Sequence, residues 1–351
     1  MKYKFFSENG KNAGVLYFVS LSLYLLAIVF CFYAGVSNYI LGWMAFIGAM
    51  YAVVANDSIQ IMGTFIESRR DVKWYGKSLV FGSILALLYL FSWIASSGSL
   101  HFGRLDSVSF PEKFTILQLV IPAILILITG VKAPISTTFL ILGLFGGRTI
   151  LDMLYKSFFG YFIAFVAALI VWFVLSRINP DEYNKEGNVP SSAIWNVIKW
   201  ISTAYLWIAW LVQDTANIVV FLPEKLNVLE LLLVICSGFL AVSLVFISNG
   251  APIQSLVSEK KDISNVKSSA IVDIVLGTTL YFFQTLNQIP LSTTWVFLGL
   301  LAGREIILNI MTGKDKYLDS LMKIGRDVML AFFGIVISII VNRISSWNIF
   351  Q

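Results

Sequence analysis

The stretch PISTTFLILGLFGGR at positions 134–148 returns as PLSTTWVFLGLLAGR at 290–304, an offset of 156 residues. The proline, the Ser-Thr-Thr triplet, a Leu-Gly-Leu and the closing Gly-Arg are common to both, nine of 15 positions. Apolar segments share leucines by chance, but a shared Pro-x-Ser-Thr-Thr closed by a shared Gly-Arg indicates duplication. A second pair lies upstream. Asn56, Asp57, Ser58, Ile59 and Gln60 are answered by Gln213, Asp214, Thr215, Ala216 and Asn217, and the two aspartates are 157 residues apart.

The surroundings of these phrases are apolar. Of 351 residues 58% are hydrophobic and 13% charged, with mean hydropathy +0.82, too few charges to coat a soluble domain of this length. A helix crosses a ~30 Å hydrocarbon core with roughly 20 apolar residues. Eleven segments reach or approach that length: 13–34, 39–65, 78–97, 114–131, 134–151, 157–177, 195–222, 228–248, 268–287, 291–310 and 327–344. A β-barrel would show short alternating segments instead, and 159–175 is a continuous apolar run. The expected fold is an all-α polytopic membrane protein. Residues 1–38 form a tail and first transmembrane helix, 39–178 repeat 1, 179–194 a polar linker and 195–351 repeat 2.

Basic residues orient the spans. With the N-terminus inside, the interior side collects Lys2, Lys4, Lys11, Arg69, Arg70, Lys73, Lys77, Lys132, Arg177, Lys185, Lys199, Lys260, Lys261, Lys267, Lys314, Lys316, Lys323 and Arg326. The exterior keeps Arg104, Lys113, Arg148, Lys156, Lys225 and Arg343, and Arg304 falls within a span. The chain is therefore read as an integral protein of the plasma (inner) membrane with a cytoplasmic N-terminus. No small-residue cleavage site follows Lys2, Lys4 and Lys11, so the first helix is expected to stay uncleaved. Each repeat holds about five spans. An odd number sends the second copy into the bilayer from the opposite side, which gives inverted-topology repeats with a midplane site between them.

Several chemistries are excluded or disfavoured. His101, the only histidine, stands in a polar loop, which rules out a multi-histidine metal site and argues against a Ser/His/Asp triad. Cys31 and Cys236 sit in apolar runs without ligand spacing, as small core or lipid-facing residues. No Walker-type phosphate loop is present. The chain is read as no enzyme, with no nucleic-acid partner and no cofactor beyond a sodium ion.

What chemistry remains lies in the repeated phrases. Proline suits the first turn of a helix, and Ser or Thr at a helix start satisfies free backbone donors. At membrane depth such a start directs N–H groups, the positive dipole end and hydroxyls to one point, an anion site. Ser136, Thr137 and Thr138 would face Ser292, Thr293 and Thr294 around a tetrahedral oxyanion. Capping or packing of broken helices is the simpler use of one copy alone. Asp57 and Asp214 each follow a strongly apolar stretch, and an ionised carboxylate there needs a cation, a proton or a bundle partner. Gln60 and Asn217 stand three residues beyond them on the same helical face, and carboxylate with amide oxygens suits a hard cation such as sodium. A proton suits the carboxylates equally, and a hydrogen bond between helices is the structural alternative. Asp273 is a third intramembrane acid, a coupling site or a helix–helix hydrogen bond. Arg148 and Arg304 close the phrases and are expected to snorkel to the interface.

At these residues the chain resembles the inorganic phosphate transporter (PiT) family, which carries Gly-Ala-Asn-Asp-x-Ala-Asn and Pro-x-Ser-Thr-Thr-His motifs in each of two inverted halves. The match runs through 55–60, followed by Gly63 and Thr64, through 213–217, followed by Pro223, and through 134–138 and 290–294. The resemblance implies that Asn56, Gln213 and the Ser-Thr-Thr hydroxyls contact phosphate. It implies that Asp57, Gln60, Asp214, Asn217 and Asp273 serve the coupling cation, sodium or proton. The motif histidine is replaced by Phe139 and Trp295, the leading glycine is lost, and Gln60 and Gln213 stand for asparagines. These departures bear on the anion, so sulfate is the runner-up, and a passive anion channel is the alternative mechanism. A homodimer is open.

Overall fold

The computed structural model describes residues 10–106, 108, 110–130, 135–145, 150–178, 192–250, 254, 265–287, 292–312 and 317–346. Pro134, Pro290, Arg148 and most of the expected linker lie outside them. Among the described residues every regular element is helical. In chain order they are α1 (Gly10–Tyr33), α2 (Asn38–Ile61), α3 (Gly63–Ser68), α4 (Trp74–Ala95), α5 (Ile116–Gly130) and α6 (Thr137–Leu140). A 3-10 turn (Leu142–Phe145) precedes α7 (Ile150–Ile178), α8 (Ala193–Asp214), α9 (Ala216–Val219) and α10 (Val228–Ile247). The chain closes with α11 (Val266–Asn287), α12 (Thr293–Thr312) and α13 (Tyr317–Ser346).

Seven of these, α2, α4, α7, α10, α11, α12 and α13, contain stretches long and apolar enough to cross a bilayer, and α1 and α5 contribute shorter apolar stretches. The chain is an all-helical integral membrane protein. Its surface is inverted relative to a soluble protein. Leu26 is 66% exposed, Phe30 73% and Met329 74%, whereas Asp57, Asp214, Asp273 and Lys199 are all 0% exposed. Apolar side chains on the outside cost nothing in lipid; charges on the inside must find partners there.

Three expected segments are not single helices. Segment 39–65 breaks at Met62, between α2 and α3, and segment 195–222 breaks at Thr215, between α8 and α9. Segment 134–151 is the larger departure. Its described part is a four-residue helix, then a 3-10 turn, and not a span. The second copy of the same phrase is the continuous 20-residue α12. Gly143, Gly146 and Gly147 stand close together in the first copy, where the second has Gly299, Ala302 and Gly303. Each glycine costs a helix interior about 1 kcal/mol relative to alanine, and the first copy carries the extra one.

The same packing partners recur in both halves. In the first, α2 packs on α5, and at the corresponding places in the second, α8 packs on α11. The pair α7 with α12 is answered by α13 with α6 and the 3-10 turn, and α2 with α10 by α8 with α4. Helices α4 and α10, counterparts of each other, meet directly. Gly299 and Gly303 explain the tightest of these contacts. A Cβ at either would come within 2.2 Å of the Tyr161 carbonyl oxygen and 2.3 Å of the Phe165 one, so only glycine lets α12 lie backbone to backbone on α7.

Candidate functional site

The two helix breaks converge. Asp57 sits near the C-terminal end of α2, and Asp214 closes α8. Asp57 Oδ1 accepts from Asn56 Nδ2 at 2.7 Å, and its Oδ2 accepts from Trp210 Nε1 at 3.2 Å and Thr137 Oγ1 at 3.3 Å. Trp210 comes from the second half, held flat against Trp207 with ring centroids 5.0 Å apart. Asp214 Oδ1 accepts from Asn217 Nδ2 at 2.7 Å, as the three-residue spacing anticipates. That amide also reaches Thr137 Oγ1 at 3.1 Å and Thr138 Oγ1 at 3.3 Å. Thr137 thus stands between the two halves, bonded to Asp57 and to the partner of Asp214. The carboxylates interact as like charges, and Thr293 also faces Asp214.

The second Ser-Thr-Thr closes the cluster from the other side. Gln60 Nε2 donates to Thr293 Oγ1 at 3.0 Å, and Thr294 Oγ1 donates to the Ile135 carbonyl at 3.4 Å. Asn56 Nδ2 donates to the same carbonyl at 2.8 Å, and Thr129 Oγ1 lies 3.2 Å from Asn56 Oδ1. Asn56 is thereby committed to bracing the segment before α6. Ser136 caps α6, its Oγ accepting from Phe139 N at 3.4 Å. A four-residue helix carries little dipole, so the helix start expected at each phrase is present in α12 and only residual in α6.

Four buried oxygens in this group have no hydrogen-bond partner among the described residues: Gln60 Oε1, Asp214 Oδ2, Asn217 Oδ1 and Ser292 Oγ. Native interiors satisfy such atoms as a rule, by protein groups, ordered water or a ligand. The set is a carboxylate, two amides and a hydroxyl, the oxygen chemistry of a hard cation. The fit is with a sodium ion or a proton, not a thiophilic metal.

The expected site residues do not all gather here. Asp273 forms its own cluster. Its Oδ2 accepts from Lys199 Nζ at 2.7 Å, its Oδ1 from Thr64 Oγ1 at 2.6 Å, and Thr203 Oγ1 also bonds it. Lys199, counted among the interior-loop charges, is instead fully buried in α8. Gln213 turns to Arg104, whose Nε reaches its carbonyl at 3.1 Å and whose Nη2 binds its Oε1. Arg104 comes from the connection between α4 and α5 and supplies positive potential at Asp214. Arg304 does not snorkel. It is 1% exposed, bonds Ser268 Oγ at 2.9 Å and lies 5.6 Å over the Trp172 ring.

Phe139 and Trp295, which stand where the family motif has histidine, face the opposite way from the hydroxyls before them. Both are 2% exposed and share one apolar cluster with Leu298, Ala331 and Ile335. Trp295 packs on Phe158 and Tyr161 at 5.1 and 6.0 Å between centroids. His101 is buried in the wall of a cavity of about 310 Å³ whose lining also includes Asp106, 3.6 Å from His101 Nδ1, and Glu224 and Val219 of α9. Cys31 and Cys236 are free.

Sequence reasoning missed Lys199, Trp210 and Arg104. Lys199 had a signal: it stands four residues before Thr203 on α8, with Ser269 and Asp273 on the helix that packs against it. Trp210 is likewise four residues before Asp214. Arg104 had none, because a long loop hides the reach of its side chain. Comparison with protein-family models, curated proteins and solved structures finds no match. The class stated for the chain, an all-helical integral membrane protein, therefore rests on its own helices, and its function on the site's chemistry.

Proposed function

We propose that the chain is a secondary active transporter of a tetrahedral oxyanion, inorganic phosphate in preference to sulfate, coupled to sodium or protons. The single observation that carries this reading is the meeting of Asp57 and Asp214 at Thr137. Residues of the same motif, from two halves of the chain, share one hydroxyl deep in an apolar bundle. Two carboxylates side by side at that depth repel each other unless a cation or proton joins them. The repeated pairings of helices support two related halves that rock about this cluster. We place the chain in the plasma membrane, its N-terminus cytoplasmic by the excess of basic residues in one set of loops.

Coupling follows from donors and acceptors. The Thr137 hydroxyl donates to Asp57, and Thr293 faces Asp214. A sodium ion held by Asp214 Oδ2, Gln60 Oε1 and Asn217 Oδ1 takes over that neutralisation. The hydroxyls of Thr137, Thr138, Thr293 and Thr294 then turn to an oxyanion, because a hydroxyl donates or accepts as its partner requires. The anion arrives only after the cation, and the site empties in the reverse order. Neutral donors hold the anion without a fixed positive charge that would retain it.

The test is uptake of labelled phosphate, with sulfate and arsenate as competitors, into liposomes holding the purified protein under separate sodium and pH gradients. Uptake driven by one of the gradients and competed by a second oxyanion is expected. No uptake under either gradient removes the reading, and uptake indifferent to both gradients replaces it with a passive anion channel.

A further inference from the structure

We propose that Lys199 is a tethered cation, its ammonium filling a monovalent-cation site whose walls are Asp273, Thr64 and Ser269. The lysine has three N–H donors and no acceptor. Each donor has one oxygen: Asp273 Oδ2 at 2.7 Å, Thr64 Oγ1 at 2.9 Å and the Ser269 carbonyl at 3.3 Å. Thr203 Oγ1 completes the shell on the carboxylate. Carboxylate, hydroxyl and backbone carbonyl around one positive centre form the ligand set of a bound alkali ion, with a side chain supplying the ion.

Placement in the fold gives the device a role. Thr64 lies on α3, immediately past the break that follows Asp57, whereas Lys199 and Thr203 lie on α8 and Ser269 and Asp273 on α11. The ammonium therefore ties the two halves of the chain together where a diffusible cation would come and go. Of the three aspartates fully buried among the described residues, Asp273 has a lysine in contact; Asp57 and Asp214 accept from neutral donors. The Asp273 position is permanently loaded, and one cation fewer is exchanged with solution. That consequence for coupling rests on the transporter reading; the binding site itself does not.

The experiment separates the two. In an Asp214→Asn background, which removes a ligand of the exchangeable site, Lys199→Ala is added, and thermal unfolding in detergent is followed as NaCl, LiCl or KCl replaces choline chloride at constant ionic strength. A saturable rise in Tm of several degrees with at least one alkali ion, absent from the parent, is expected, and it should vanish on adding Asp273→Asn. Equal salt response in parent and variant overturns the proposal. So does a variant rescued by lowering pH but by none of the ions, because Asp273 would then simply take a proton. A variant that stays unfolded in every ion overturns it as well, since a cation site should accept a free cation. Comparing wild type with Asp214→Asn alone reports on the exchangeable site, so that site can fail while the tethered cation stands.

Discussion

Asparagine in place of each buried aspartate should separate two residues that the repeat makes look equivalent. Asp57 receives N–H donors on both oxygens, Asn56 Nδ2 on Oδ1 at 2.7 Å and Trp210 Nε1 on Oδ2 at 3.2 Å. An asparagine has one acceptor and one NH2 group. Whichever way it is turned, the NH2 faces one of those two donors: Trp210 Nε1 cannot accept, and turning the Asn56 amide over would set its oxygen against the Ile135 carbonyl. A buried donor left unpaired costs about 1–3 kcal/mol. Asp214 differs. Its Oδ1 accepts from Asn217 at 2.7 Å, while its Oδ2 has no partner among the described residues. The new NH2 fits at Oδ2, facing hydroxyls that can accept, and the like-charge repulsion with Asp57 disappears. Asp214→Asn should therefore unfold at or above the wild-type temperature, and Asp57→Asn should be less stable than Asp214→Asn by about 1–3 kcal/mol. Both should lose gradient-driven uptake. Thermal unfolding of the purified variants in detergent, followed by tryptophan fluorescence, measures the gap. Equal stabilities, or Asp214→Asn as the weaker of the two, would refute the hydrogen-bond assignment on which the site is built.

Other substitutions test the rest of the architecture. Lys199→Met strands Asp273 in the bundle and should cost about 3–5 kcal/mol, whereas Lys199→Met with Asp273→Leu should recover most of it, a difference a double-mutant cycle reads directly. Gly299→Ala drives a methyl into the Tyr161 carbonyl and should cost about 1–3 kcal/mol by overpacking, measured as a lowered unfolding midpoint. Trp295→His should not restore an oxyanion donor. It buries imidazole nitrogens in an apolar cluster at a cost of about 1–3 kcal/mol, and altered anion preference in a stable variant would contradict the placement. Asp71, outside the spans, is held below the usual carboxylate range by its hydrogen bonds and charge pairing with Arg69. The stability it adds is present above the ordinary carboxylate range and is lost as pH falls through the lowered value. With the Asp71 side chain 64% exposed, the loss is only about 0.2–1 kcal/mol, and it should be missing from the acid limb of an Asp71→Asn stability profile.

The parts of this molecule that sequence reveals are those that repeat or follow hydropathy. Asp57 and Asp214 stand out because their offset nearly equals that of the Ser-Thr-Thr phrases, and the structure brings all four segments together. The interruption of the two Asp-bearing segments is also written locally, in Gly63 after Met62 and in the polar run 213–217. The failures have a common cause. Lys199 and Arg304 break charge rules that place cations at interfaces, whereas Asp273 makes the hydrogen bonds between helices that are one of the two uses expected of it. Burial of an ion pair or of a ring-stacked arginine depends on partners from other helices, which no local window contains. Phe139 and Trp295 occupy motif positions, but the side to which they project is decided by α13 and α7. The first Ser-Thr-Thr phrase was extended into a span because its apolar residues outvoted three glycines.

The distribution of unpaired atoms is what favours the proposed transport. Each half supplies acceptors in surplus: Gln60 Oε1 from the first; Asp214 Oδ2, Asn217 Oδ1 and Ser292 Oγ from the second. Their donors are consumed internally, Gln60 Nε2 on Thr293 and Asn217 Nδ2 on Asp214 and two threonines. A site built only to bind an anion would show the reverse, spare N–H and O–H groups and satisfied oxygens. Here three of the four spare groups are pure acceptors and the fourth, the Ser292 hydroxyl, can donate as well, while Thr137 donates to Asp57 and Thr294 to the Ile135 carbonyl. On the transporter reading, the Thr137 donor is released when something positive meets Asp57, and that dependence is the proposed coupling. A variant that keeps the hydroxyls but loses a surplus acceptor, Gln60→Leu, should therefore weaken the apparent sodium or proton affinity in uptake. At saturating cation its apparent anion affinity should change little. Loss of anion affinity under those conditions would place Gln60 on the anion instead and reverse the assignment.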